Sequence, residues 1–230
     1  MSILGFDTAT ADTAVAVLGG TEAMESLEGP SDAGRPAHGR VLLPAIERAV
    51  AEVGGWREIE LIAVGIGPGS FTGLRIGVST GRALAQARGL PLAAVASTAA
   101  LAAGIAELPE AASRSRLALI DARRGEVFAA FDPGTGPRPP MAVAPGELAE
   151  TLGAGELRGA VAGGDGSIRF RPEIEAAGVE VLPDESPAHR LSARQICLLA
   201  AKTSPVEVEQ LVPMYLRRPD AERWHERNRN

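Results

Sequence analysis

Two stretches of this chain carry the same pattern, and few folds accommodate it twice. Ile3 to Phe6 is an apolar run closed by Asp7, followed by a polar turn from Thr8 to Asp12 and a returning apolar run from Ala14 to Leu18. Further along, Leu117 to Asp121, the turn Ala122 to Gly125 and the run Glu126 to Phe131 repeat it. Short apolar runs bounded by turn residues read as strands, so each stretch predicts a β-hairpin. Around the first hairpin, the spacing predicts a third strand at Ala23 to Leu27, a loop at Gly29 to Pro36 and a helix over Val41 to Val53, stopped by Gly54 and Gly55. A strand at Leu61 to Ile66 then runs into GPGSFTG at Gly67 to Gly73. A helix from about Phe71 to Arg88 follows, and then a strand at Leu92 to Val95. After the second hairpin the order begins again: helix at Pro145 to Leu152, strand at Ala160 to Ala162, helix at Ile168 to Ala177, strand at Val179 to Leu182, helix at Ser192 to Lys202. This is a degenerate duplication, and it predicts an α/β fold of two lobes, each a mixed sheet flanked by helices. The lobes are expected to divide at 1–103 and 104–230.

With 230 residues and 45% hydrophobic content, the chain can bury roughly 70% of its unfolded surface without help from disulfides or a structural metal. A single cysteine, Cys197, excludes an intramolecular disulfide and a multi-cysteine zinc site. The opening MSILGFD lacks the basic segment and long apolar run of a signal peptide, so a cytoplasmic protein is expected. The uncharged stretch from Gly89 to Ala106 carries Pro91, Ser97, Thr98 and Gly104 and changes period midway. It reads as strand plus helix and not as a membrane span. A net charge of −6 argues against a broad phosphate-tracking surface, so any RNA is expected to be held mostly by a partner. The exception is the tail, where Arg217, Arg218, Arg223, Arg227 and Arg229 alternate with Asp220, Glu222 and Glu226 and read as a solvated end.

Candidate chemistry is sparse. A helical metal site wants two histidines at i and i+4, but four residues after His38 stands Leu42, and His189 and His225 fall in a loop and in the tail. Ser70, Ser79 and Cys197 have no histidine near them in sequence, and Cys197 lies among the apolar positions Ile196, Leu199 and Ala200, as a packing thiol does. The second helix is more informative. Gly73, Gly77 and Gly81 recur every four residues and lie along one stripe. Glycine inside a helix costs up to ~1 kcal/mol relative to alanine, so the stripe calls for a close backbone approach, either to the helix's own sheet or to a partner. The first helix has apolar residues on more than one side: Leu42 and Ile46 form one stripe, with Leu43 and Val50 beside it. Together Leu42, Leu43, Ile46, Val50, Gly73, Gly77 and Gly81 are the expected partner-binding face.

Four blocks carry a family resemblance: ILGFDTAT at Ile3 to Thr10, AVGIGPGSFTGLRIGVSTGRALA at Ala63 to Ala85, IDARRGEVF at Ile120 to Phe128, and PMYLR at Pro213 to Arg217. In content and order they resemble the TsaB (YeaZ) family, and GPGSFTGLRIG is the most specific of them. The resemblance implies two actin/Hsp70-like, ribonuclease H-like lobes. It also implies a non-catalytic subunit that assembles with the paralogue TsaD and the ATPase TsaE to place threonylcarbamoyl on the tRNA adenosine after the anticodon. A homodimer is expected where TsaD is absent. The family has also been grouped with metal-dependent glycoproteases, a reading opposed by the missing histidine partner of His38. An actin/Hsp70-type ATPase or small-molecule kinase is the rival. Asp7 to Thr10 resembles the first phosphate loop of such enzymes, and Ser70 sits where a helix N-terminus could cradle an anion, so Asp7, Thr8 and Ser70 are weak anion candidates. Against nucleotide binding, GPGSFTG fits neither the GxGxxG nor the P-loop template, and the second hairpin turn carries Ala122, Arg123 and Arg124 where those ATPases need glycine. No cofactor and no metal are expected.

Overall fold

The computed structural model describes residues 1–19, 22–31 and 34–217; the tail from Arg218 onward, with His225 and four of its arginines, lies outside the described residues. Side chains alternate across a strand, and here both faces of each sheet are covered. In β1 (Ser2–Asp7) and β2 (Thr13–Gly19), Leu4, Phe6, Val15 and Val17 enter one core while Ile3, Ala14, Ala16 and Leu18 enter another. The chain continues through β3 (Glu22–Glu28), α1 (His38–Glu52), β4 (Leu61–Gly65), α2 (Phe71–Arg88), β5 (Leu92–Val95) and α3 (Ser97–Ala106). The second half comprises β6 (Arg116–Asp121), β7 (Val127–Asp132), β8 (Met141–Val143), α4 (Leu148–Leu152), α5 (Ala154–Leu157), β9 (Val161–Gly163), α6 (Asp165–Arg169), α7 (Arg171–Ala176), β10 (Glu180–Val181) and α8 (Ala193–Ala200).

The two five-stranded sheets run in the orders β3-β2-β1-β4-β5 and β8-β7-β6-β9-β10. In each, the middle strand pairs antiparallel with its hairpin partner and parallel with the strand on its other side. The repeated order is the expected duplication of two ribonuclease H-like lobes. Helices α1 and α2 cover the outer face of the first sheet, and α4, α5 and α7 that of the second. The layer between the sheets is shared: α3 packs on β6 and β7, and α8 packs on β1 and β2. The position 103/104 therefore falls inside a helix of this shared layer. An all-round apolar helix belongs in such a place, which accounts for the uncharged Gly89 to Ala106 stretch. Among the described residues no helix is long and apolar enough to cross a membrane.

Local departures from the sequence expectation have physical causes. The helix expected over Ile168 to Ala177 breaks at Phe170 into α6 and α7, because Pro172 lacks the N–H that would continue the ladder of α6. The first helix starts three residues earlier than its apolar period, at His38, whose imidazole is buried and whose Nδ1 lies 2.7 Å from Thr13 Oγ1. A buried hydrogen-bonded ring can begin a helix that apolar spacing alone would start later.

The glycine stripe of α2 faces inward, which corrects its expected role as a partner surface. A Cβ at Gly73 would overlap the Thr8 carbonyl oxygen, one at Gly77 would overlap Thr8 Oγ1, and one at Gly81 would come 2.5 Å from Val64 Cγ2. The helix sits on its own sheet and first turn at a distance only glycine permits. Gly73→Ala is therefore expected to destabilise the fold by about 2–3 kcal/mol, lowering Tm by roughly 4–12 °C in a chain of this size. Gly104→Ala in α3, where a Cβ would meet Gln195 Cγ at an ordinary 3.9 Å, should raise stability by up to about 1 kcal/mol in the same melts.

Candidate functional site

The two hairpin turns point toward each other across a cleft of about 500 Å³. Its walls are the first turn at residues 9–11, the loop into α2 at 69–72, the second turn at 121–124 with Phe128 and Asp165, and the segment 214–217. This segment crosses between lobes: Met214 N donates to Ile66 O at 2.7 Å, while Arg217 pairs with Glu126 and lies 5.8 Å over the Phe128 ring.

Of the three anion candidates, only Ser70 lines the cleft. Its hydroxyl caps α2 by accepting from Gly73 N at 3.3 Å, and its own N–H donates to Ala9 O at 2.7 Å. Thr8 is buried and donates from Oγ1 to Gly73 O at 2.8 Å. Asp7 is also buried, with both carboxylate oxygens occupied: Oδ1 accepts from Ala9 N at 2.6 Å and Oδ2 from Ser97 Oγ at 2.6 Å. Ser97 Oγ in turn accepts from Gly67 N at 3.0 Å, so one carboxylate fastens the first turn, the loop before α2 and the start of α3. Burial pushes the Asp7 carboxyl up from 3.8 to about 6, against the opposing pull of its hydrogen bonds.

The second turn is unusual in its backbone. Arg123, Arg124 and Gly125 hold φ of 62°, 56° and 80°, the left-handed region that favours glycine. Arg123 pairs with Asp121, as does Arg169, and Asp165 Oδ1 accepts from Asp121 N at 2.9 Å. The carboxylates of this wall are thus already engaged, and burial holds Asp165 above its ordinary range. Among the described residues no group of three or more His, Cys, Asp or Glu is placed to hold a metal ion. His38 packs near Gly73 behind the first turn, and His189 is buried with Nε2 2.9 Å from the Pro183 carbonyl oxygen. Burial lowers the His38 pKa, so the ring is neutral near pH 7.

Of the seven residues expected at a partner face, Leu42, Ile46 and Val50 are buried against the first sheet, and Gly73, Gly77 and Gly81 are buried against the first turn and β4. Leu43 alone is outward-facing, 52% exposed. Sequence reading passed over a cluster at the cleft mouth, where Phe71 and Tyr215 stack at 5.1 Å with Arg75 4.1 Å from the Phe71 centroid. The i, i+4 spacing of Phe71 and Arg75 could have suggested half of it.

Asp7 makes a pH-dependent contribution that can be isolated. Below about pH 4 the carboxyl is protonated in both folded and unfolded chains. Between about pH 4 and 6 the folded chain keeps a proton that the unfolded chain has lost, so stability falls as pH rises through that window. Asp7→Asn cannot ionise, yet its amide can accept from Ala9 and donate to Ser97. The stability of the parent relative to Asp7→Asn is expected to drop by on the order of 3 kcal/mol from pH 4 to pH 7, measured by urea unfolding.

Comparison with known proteins places this geometry. Residues 29–136 match the family model described as TsaD, tRNA N6-adenosine threonylcarbamoyltransferase. The tRNA threonylcarbamoyladenosine biosynthesis protein TsaB of Haemophilus influenzae is 33% identical over 56% of this chain and 52% of its own length. The protein of the same name from Escherichia coli is 37% identical over 56% of this chain and 53% of its own length. The matched region thus spans about half the length of these curated relatives. The solved structure of YeaZ from Pseudomonas aeruginosa superposes with a TM-score of 0.74 at 27% identity, covering 93% of this chain and 100% of that one. The two TsaB relatives and the YeaZ superposition, which spans nearly the whole chain, support a TsaB/YeaZ family protein.

Proposed function

We propose that this chain is the non-catalytic partner subunit in formation of N6-threonylcarbamoyladenosine in tRNA, binding and supporting the TsaD-type subunit that performs the transfer. The observation that carries the reading is the state of the cleft. In an ATPase of this fold the two turns would approach phosphates with bare backbone. Here the Asp7 carboxylate is spent on Ala9 and Ser97, and the second turn carries Arg123 and Arg124. The names of the similar proteins from Haemophilus influenzae and Escherichia coli supply the pathway. In this proposal the lobe 1–103 meets the TsaD-type paralogue, a TsaE-type ATPase joins the assembly, and tRNA is reached through the complex in the cytoplasm.

The proposed contact is a helix-on-helix seam made by the solvent side of α1 and α2. It is centred on Leu43, since the glycines and the remaining leucine and isoleucine of the expected face are used internally. In the absence of TsaD the same side would pair with a second copy.

Depleting the protein should remove threonylcarbamoyladenosine from tRNA hydrolysates while leaving synthesis of the threonylcarbamoyl-adenylate donor intact; unchanged modification in a clean deletion contradicts the proposal. Leu43→Glu should weaken association with the TsaD-type subunit by about tenfold or more in titration calorimetry, with an unchanged melt, because a charge would enter the centre of an apolar contact. Leu42→Glu, by contrast, should unfold the chain, since Leu42 is only 2% exposed.

A further inference from the structure

The aromatic cluster at the cleft mouth is used by none of the contacts above. Phe71 is 36% exposed and Tyr215 40% exposed, although burial would stabilise rings of this size. They stack with centroids 5.1 Å apart and planes inclined by 30°. Arg75 lies one turn along α2 from Phe71, and its Nε donates to Tyr215 Oη at 3.3 Å. Among the described residues no carboxylate pairs with Arg75, so its charge is held by the two rings alone. Arg123, Arg124 and Arg217 line the same cleft. Arg123 and Arg124 occupy left-handed positions that glycine would fill without strain, so their side chains are retained against a backbone cost. The Arg123 side chain is 68% exposed, which leaves its pairing with Asp121 open to exchange with another anion.

We propose that Phe71, Tyr215 and Arg75 form a stacking platform for an unpaired base of RNA, with a flanking phosphate held by Arg123. An apolar protein segment would cover the rings but bury Arg75 without an acceptor. An acidic segment would satisfy the arginines but leave the rings wet. A base on a phosphodiester strand meets both needs, with its π-face on the rings and a flanking phosphate on the Arg123 guanidinium. The net charge of −6 disfavours a broad phosphate-tracking surface, so the proposed contact is local. The choice of RNA rests on the tRNA-modification reading above.

The chain has one tyrosine, so fluorotyrosine labelling places a single fluorine probe on the platform. Titration of the full chain with single-stranded oligoadenylate should shift that resonance, and the corresponding duplex should not. In fluorescence anisotropy with the same oligonucleotide, Phe71→Leu and Tyr215→Leu, which keep apolar bulk but lose the ring, should weaken binding about tenfold or more. Arg75→Gln should do likewise, while Phe71→Trp should bind as the parent does. Arg75 is exposed, so Arg75→Gln remains a valid test if a ring variant fails its thermal melt. Unchanged affinity in Arg75→Gln and the folded ring variants overturns the proposal, as does equal binding of duplex RNA or equal binding of AMP alone. A chain whose depletion abolishes tRNA modification but whose variants bind oligoadenylate normally would lose the platform and keep the function. Modification that persists on depletion would remove the function, with the oligonucleotide titration still deciding the platform.

Discussion

Between the two sheets there is space for one helical layer, and the small residues of α8 and β1 determine how closely the halves of the molecule approach. A Cβ at Gly5 would stand 2.5 Å from Cys197 Sγ and 3.0 Å from the Ala193 carbonyl oxygen, so the helix rests directly on the strand backbone. Both sheet faces that meet this layer are trimmed to match, with Ala14, Ala16, Ala63 and Ala93 on one and Ala118 and Ala130 on the other. Cys197 acts here as a compact apolar group, its thiol pushed up to about 12 by burial. Polar ties at the edge of the layer fix its angle: Glu25 of β3 accepts from Ser192 Oγ at 3.1 Å and from Ala193 N, and Arg194 reaches Glu107 with two bonds of 2.8 Å.

The relative position of the lobes, and so the shape of the cleft, follows from that layer. Asp7 and Ser97 join the first turn to the start of α3, which packs on the opposite lobe, so the floor of the cleft is part of the same framework. The segment 214–217 then closes one side, anchored at Ile66 in the first lobe and at Glu126 in the second. The two lobes are thus held across the cleft by the chain itself.

Much of the fold was legible because period and punctuation agreed. The helix at Phe71 to Arg88 and the strand at Leu92 to Val95 lie where Gly89 and the apolar runs place them. The repeated hairpin gave the duplication, since a strand ending in Asp and returning after a short turn is a local feature in both halves. The strand β8 was missed because it directly follows Pro139 and Pro140, which read as a continuing loop, and the break at Phe170 is set by Pro172, which cannot continue the ladder of α6.

What the sequence determined by itself was the presence of close contacts: three glycines at helical spacing demand that something approach α2. It could not name the neighbour, because a stripe facing a sheet and a stripe facing a partner have the same spacing, and only the tertiary structure put Thr8 and Val64 against it. The same limit applies to Asp7, legible as a strand-ending carboxylate, whose partner Ser97 lies 90 residues away in sequence. It applies equally to Tyr215, brought to Arg75 across 140 residues. Local pattern encodes which surfaces must be buried or approached closely, whereas the pairing of distant side chains is decided when the shared helical layer fixes the lobes against each other.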